Sequence, residues 1–197
     1  ASARPGALAR FLGALAATIA AVNLPFALAA PDAWSWFFRY NAGRGAENSI
    51  WEALRVKPGA ALDVLSLAPL ALATLFGAAG AARAARRGDA GRAVRLATGL
   101  VLVTWIATNK VFSPQYALYG FLAGALASAP LWLFLALTAV SAADYHLAFE
   151  LRARSWDPWF KDALVEPGHV ARTLLWLALA AWIARALWRC VNTPSTR

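Results

Sequence analysis

The stretch "NKVFSPQY", residues 109–116, comes directly after the apolar run "LATGLVLVTWIAT" at 96–108. It sets an amide, a lysine, a hydroxyl, a proline, a second amide and a phenol where a membrane helix should end or continue. The next apolar run, "QYALYGFLAGALAS" at 115–128, is too short to cross a membrane. Fourteen residues make about 21 Å of helix, against a hydrocarbon core of about 30 Å. The shortage is explained if 109–114 dips into the protein and the helix starts at Pro114, since proline suits a first helical turn. Irregular backbone at membrane depth persists only where protein buries it or where it lines a wet cavity.

The rest of the chain supports a membrane setting. Of 197 residues, 60% are hydrophobic and 15% charged, with ten tryptophans. Ordinary soluble domains are roughly 45–50% apolar. The spacing of the apolar runs predicts an all-α, polytopic transmembrane bundle of about six segments, one of them short. The runs are 8–30, 60–82, about 93–108, 115–128, 129–151 and 170–190. The first competes with a signal peptide, "ALA" at 27–29 being cleavage-like. It is read as a retained helix that Pro25 kinks or ends.

Arginine sets the expected topology. Arg83, Arg86, Arg87, Arg92 and Arg95 surround a single Asp89, and Arg185 and Arg189 close the last run. Positive loops stay in the cytoplasm, so 31–59 and 152–169 are expected outside. The formal charge of +9 is read as arginine facing anionic lipid. Nucleic acid is not expected as a partner, because the basic residues punctuate apolar runs and form no patch. The single Cys190 excludes an internal disulfide, no zinc-type cysteine spacing occurs, and no metal or cofactor is expected.

The segment 31–59 is dense in aromatics: Trp34, Trp36, Phe37, Phe38, Tyr40 and Trp51. Such residues gather at headgroup level. An interfacial helix is expected over 33–40, a glycine turn at 43–45, and a short helix capped by Asn48 or Ser49. The segment "WDPWFKDALVEPGH" at 156–169 reads as a second interfacial helix, ended by "EPG". Its Asp157, Lys161, Asp162, Glu166 and His169 read as a solvated face. Gly120 and Gly124 have the spacing of close helix contact.

Two groups could carry chemistry. Asn109, Lys110, Ser113, Gln115 and Tyr116 form the first. A lysine at a membrane cavity is costly unless paired, and a phosphate would pair it. The N-terminus of the next helix would add N–H groups and a positive dipole end. The plain alternative is a helix break with a snorkelling lysine. Asp144, His146 and Glu150 form the second; the latter two share a helix face. They are candidates for an acceptor side, or they simply meet water at a helix exit.

"NKVFSPQY" after a long apolar helix resembles the lysine–serine–proline–glutamine–tyrosine motif of glycosyltransferase family 87. "NLPFALAAPDAWSWFFRYNAGRG…SIW", with its Arg44–Gly45 pair, resembles the aromatic-rich external segment before that motif. Together they cover roughly residues 20–125. The resemblance implies the C-type glycosyltransferase fold of integral-membrane enzymes. These include polyprenol-phosphate-mannose-dependent mannosyltransferases of actinobacteria. It further implies transfer of a hexose, mannose first, from a polyprenyl-phosphate donor to a lipid or glycan acceptor outside a bacterial cytoplasmic membrane. Lys110, with Arg39 or Arg44, would neutralise donor phosphate. Asn109, Ser113, Gln115 and Tyr116 would line the donor pocket. In that family the catalytic carboxylate lies in the first external loop. The chain, which lacks methionine, is therefore read as a single transmembrane domain from the C-terminal part of a larger protein. Its missing N-terminal half would be a partner. Asp32 is not taken as the base, and the catalytic residue stays unknown. A transporter, a lipid-phosphate binding protein or a structural membrane subunit is the competing class.

Overall fold

The computed structural model describes residues 7–87, 90–113 and 115–192. Among these the chain is helical, with no strand and one isolated parallel β-bridge between Glu47 and Val111. Two compact units are distinguished, residues 1–44 and 45–197.

The first unit holds α1 (Ala7–Ala29) and α2 (Pro31–Gly43). Pro25 does not end α1, which continues through it to Ala29. The break falls at Ala30, whose φ of −148° and ψ of 69° are non-helical. The cause is Pro31, because a proline disfavours helical geometry in the residue before it. Ala16–Ala29 and α2 are bent by 113° at this point. The indole of Trp34 donates to Asn23 Oδ1 across the bend (3.3 Å). On α2 the aromatics pair one turn apart, Trp34 with Phe38 and Trp36 with Tyr40.

The second unit opens with the four-residue α3 (Ile50–Ala53). Ser49 is its N-cap residue, but the hydroxyl makes no capping bond. The Glu52 carboxylate instead accepts the N–H of Asn48, the residue before the cap (2.6 Å). Then come α4 (Ala60–Ala85), α5 (Ala90–Thr108), the short α6 (Tyr116–Leu126) and α7 (Leu131–Ala153). α8 (Pro158–Phe160) passes through a π-turn at Lys161–Val165 into α9 (Glu166–Asn192).

"EPG" therefore does not end a helix; it lies inside one that runs from Pro158 to Asn192. The widened turn immediately before Pro167 gives room where the proline ring would otherwise meet the carbonyl one turn back. Of the six segments expected, four are helices long and apolar enough to cross a membrane: α4, α5, α7 and the α8–α9 rod. The bent α1–α2 pair makes a fifth if counted as one span, and α6 is the short one.

α5 is the hub, packed against α4, α6 and α9. Its Leu96, Leu100, Val103, Ile106 and Ala107 are buried, as are Trp176, Leu179, Ile183 and Leu187 of α9. α6 approaches closely through glycine. A Cβ at Gly120 would collide with the Trp176 ring, and one at Gly124 would lie 2.8 Å from Phe134. The outward faces stay apolar: Val64, Leu67, Leu72 and Leu75 of α4 are exposed, as lipid contact requires. Within the second unit Arg83, Arg86 and Arg87 at the end of α4 meet the end of α9, with its Arg185 and Arg189, and Arg87 donates to the Val191 carbonyl there. The NKVFSPQY segment lies at the other end of this unit.

Candidate functional site

Thr108 ends α5, and helix ends leave carbonyls without helical partners. Here the Thr108 carbonyl accepts the Trp51 indole N–H (2.7 Å), and the Thr108 hydroxyl reaches the Ser66 carbonyl on α4 (3.2 Å). Asn109 then turns the chain. Its N–H donates to the Trp105 carbonyl (2.9 Å), and its Oδ1 accepts the Val111 N–H (3.3 Å).

The next residues are strapped by segment 45–53. The Glu47 N–H donates to the Lys110 carbonyl (2.9 Å), and the Phe112 N–H donates to the Glu47 carbonyl (3.0 Å). This parallel bridge satisfies the non-helical backbone within protein. Lys110 Nζ lies 2.9 Å from Asp63 Oδ1 in the first turn of α4, its side chain only 15% exposed and that of Asp63 44% exposed. The Ser113 hydroxyl donates to Gln115 Oε1. Tyr116 packs on Trp105 with ring centroids 4.8 Å apart. Pro114 lies outside the described residues, and α6 takes Gln115 as its N-cap residue.

Beneath the loop is a buried ionic network. Arg172 of α9 donates to Asp144 Oδ2 on α7 and to the Asn48 carbonyl, with its guanidinium over the Phe112 ring at 3.6 Å. His169 Nδ1 lies 2.7 Å from Asp144 Oδ1. All three side chains are at most 3% exposed. Charges so placed must be paired to be tolerated. His169 is thus not on a solvated face. The helix carries it inward because α9 has already begun at Glu166.

The expected Asp144–His146–Glu150 group is not assembled. Asp144 turns to α9, His146 is exposed, and Glu150 pairs with Arg154 (3.8 Å). Arg39 and Arg44 belong to the first unit. There Arg39 donates to the Asp32 carbonyl (3.4 Å), and Arg44 lies over the Tyr40 ring at 5.4 Å. Beside the strap, Lys161 Nζ meets Glu52 Oε1 (2.9 Å) and Arg55 meets Asp162 (3.2 Å). Glu52, Arg55, Lys57, Lys161, Asp162 and Glu166 help line an open polar pocket of about 510 Å³.

Asp63, Trp51, Glu47 and Arg172 were not singled out from sequence as site residues. Arg172 carried a signal: an arginine near the start of an apolar run needs a carboxylate, and Asp144 stands in another such run. Among the described residues no group of three His, Cys, Asp or Glu could hold a metal ion. The arrangement offers a held ammonium, a partly exposed carboxylate, an amide–hydroxyl pair and a phenol at one end of a helical bundle. No family model matches the chain, no curated protein matches it, and no solved structure matches it.

Proposed function

We propose that this chain is the donor-binding part of a membrane hexosyltransferase. It would take a sugar, mannose first, from a polyprenyl phosphate and pass it to a lipid or glycan acceptor on the outer face of a bacterial cytoplasmic membrane. One observation carries the reading. The Lys110 ammonium is held by Asp63 at the end of a membrane helix, on a loop whose backbone is strapped in place. A snorkelling lysine on a frayed helix end needs no strap.

In transfer, the bond from the sugar's anomeric carbon to phosphate oxygen breaks, and a bond to an acceptor oxygen forms. Negative charge grows on the departing polyprenyl phosphate. A pre-positioned ammonium stabilises that charge more in the transition state than in the bound donor, which is the condition for acceleration. An ammonium donates up to three hydrogen bonds, so a donor phosphate would share Lys110 with Asp63. Gln115 and Tyr116 offer hydrogen bonds to phosphate or sugar oxygens. The external orientation rests on the arginine-rich end facing the cytoplasm. No residue of the chain is assigned as the base that activates the acceptor.

The same ion pair favours a second reading, a structural or lipid-binding membrane subunit, since Asp63 already neutralises Lys110. Transfer of radiolabelled mannose from polyprenyl phosphate separates the two. The assay uses membranes carrying the longest reading frame that contains the chain. Lys110→Ala and Gln115→Ala should each reduce transfer, the former by on the order of 100-fold, at unchanged protein level. Equal transfer by all three proteins would overturn the enzyme reading.

A further inference from the structure

At the arginine end, α4 and α9 leave a groove of about 220 Å³ between them. Its walls are Phe76 and Trp188, both exposed, and its floor is Ala79, Gly80 and the buried Leu187. The two helices approach closely beneath it because Gly80 has no side chain; a Cβ there would lie 3.1 Å from Leu187. Arg83, three residues beyond Gly80 on the same helix, borders the groove and is exposed.

We propose that this groove binds one anionic phospholipid, its phosphodiester against Arg83 and an acyl chain along Ala79–Gly80. The apolar lining and the exposed indole mark a site at the depth where acyl chains meet headgroups. Charge selects the lipid. Arg86 and Arg87 come just after Arg83, and Arg185 and Arg189 flank Trp188 on α9. Between Asp63 and Asp144 the sequence holds one carboxylate, Asp89. Arg87 is tied to the Val191 carbonyl, which fixes the end of α9 beside the groove. A zwitterionic lipid would fill the groove equally well but gain less from this field. The site lies at the opposite end of the bundle from Lys110 and does not depend on the glycosyl-transfer reading.

Native mass spectrometry of the detergent-purified chain, given phosphatidylglycerol and phosphatidylcholine at equal concentration, tests this. A one-to-one phosphatidylglycerol adduct should exceed the phosphatidylcholine adduct about fivefold, the preference expected from one arginine near a lipid phosphate. Arg83→Gln should bring the ratio near one, Arg83→Lys should keep it, and Gly80→Leu should lower both adducts. Arg86→Gln, an exposed arginine that adds to the field but does not line the groove, should lower the ratio by much less than Arg83→Gln. Equal adducts in the wild type would overturn the proposal. So would an Arg86→Gln effect as large as that of Arg83→Gln, or loss of the adduct to millimolar inorganic phosphate. Should Arg83→Gln fail to fold, the wild-type ratio and Gly80→Leu still decide the matter.

Discussion

The guanidinium of Arg172 lies over the Phe112 ring, 3.6 Å from its centroid. Phe112 belongs to the NKVFSPQY loop, and Arg172 to the first turns of α9. The contact couples the loop to the buried Asp144–His169–Arg172 network, so the state of that network sets how firmly the loop is held.

Removing one partner should therefore be severe. Arg172→Met leaves Asp144 buried with only His169, and should cost about 3–5 kcal/mol. Thermal unfolding in detergent should show Tm lower by roughly 10 °C. The double variant Arg172→Met/Asp144→Asn should cost less than the sum of the single changes, because no lone charge remains. Additive losses would mean that the pair is not coupled.

Gly168 probes the same network from its backbone. A Cβ there would lie 2.7 Å from Asp144 Oδ1, too close to be accommodated without movement. Gly168→Ala should destabilise by about 1–3 kcal/mol. Gly13, with nothing within 4 Å of its built Cβ, is the control. As an exposed position within α1, Gly13→Ala should be stabilising by about 0.5–1 kcal/mol. Tm values of the two variants should move in opposite directions.

The strap on the loop is testable without touching the loop. Trp51→Phe removes the indole bond to the Thr108 carbonyl and should cost about 1 kcal/mol. Hydrogen exchange at the Glu47 and Phe112 amides, which form the bridge, should speed up about fivefold. Unchanged exchange there, with normal exchange in α9, would mean that the strap holds without Trp51.

Much of this architecture was legible in the sequence, and the exceptions have physical causes. The apolar runs marked the helices, and arginine placement separated the two ends. The polar knot was visible as an interruption of a membrane helix. The end of the first run at 30 was legible, but the kink or end expected at Pro25 was not found: a proline acts on the residue before it, so Pro31 governs Ala30, whereas Pro25 is absorbed within α1. "EPG" misled because a π-turn precedes it. The partners of Asp144 lie 25 and 28 residues away on another helix. Hydropathy gives no register between α7 and α9, so the nearby His146 and Glu150 took their place. Asp63 carried no signal in the sequence, because an acid in the first turn of a helix is favourable there without any partner.

The most direct test of the donor-phosphate site is equilibrium binding of polyprenyl phosphate to the purified chain, compared among wild type, Lys110→Gln and Asp63→Asn. Lys110→Gln should weaken binding by about 10–100-fold, the value of a charge-assisted hydrogen bond. Asp63→Asn should bind at least as tightly as wild type, because a competing anion is removed while the ammonium remains. Undiminished binding by Lys110→Gln would contradict the account and leave the Lys110–Asp63 pair as a structural clasp.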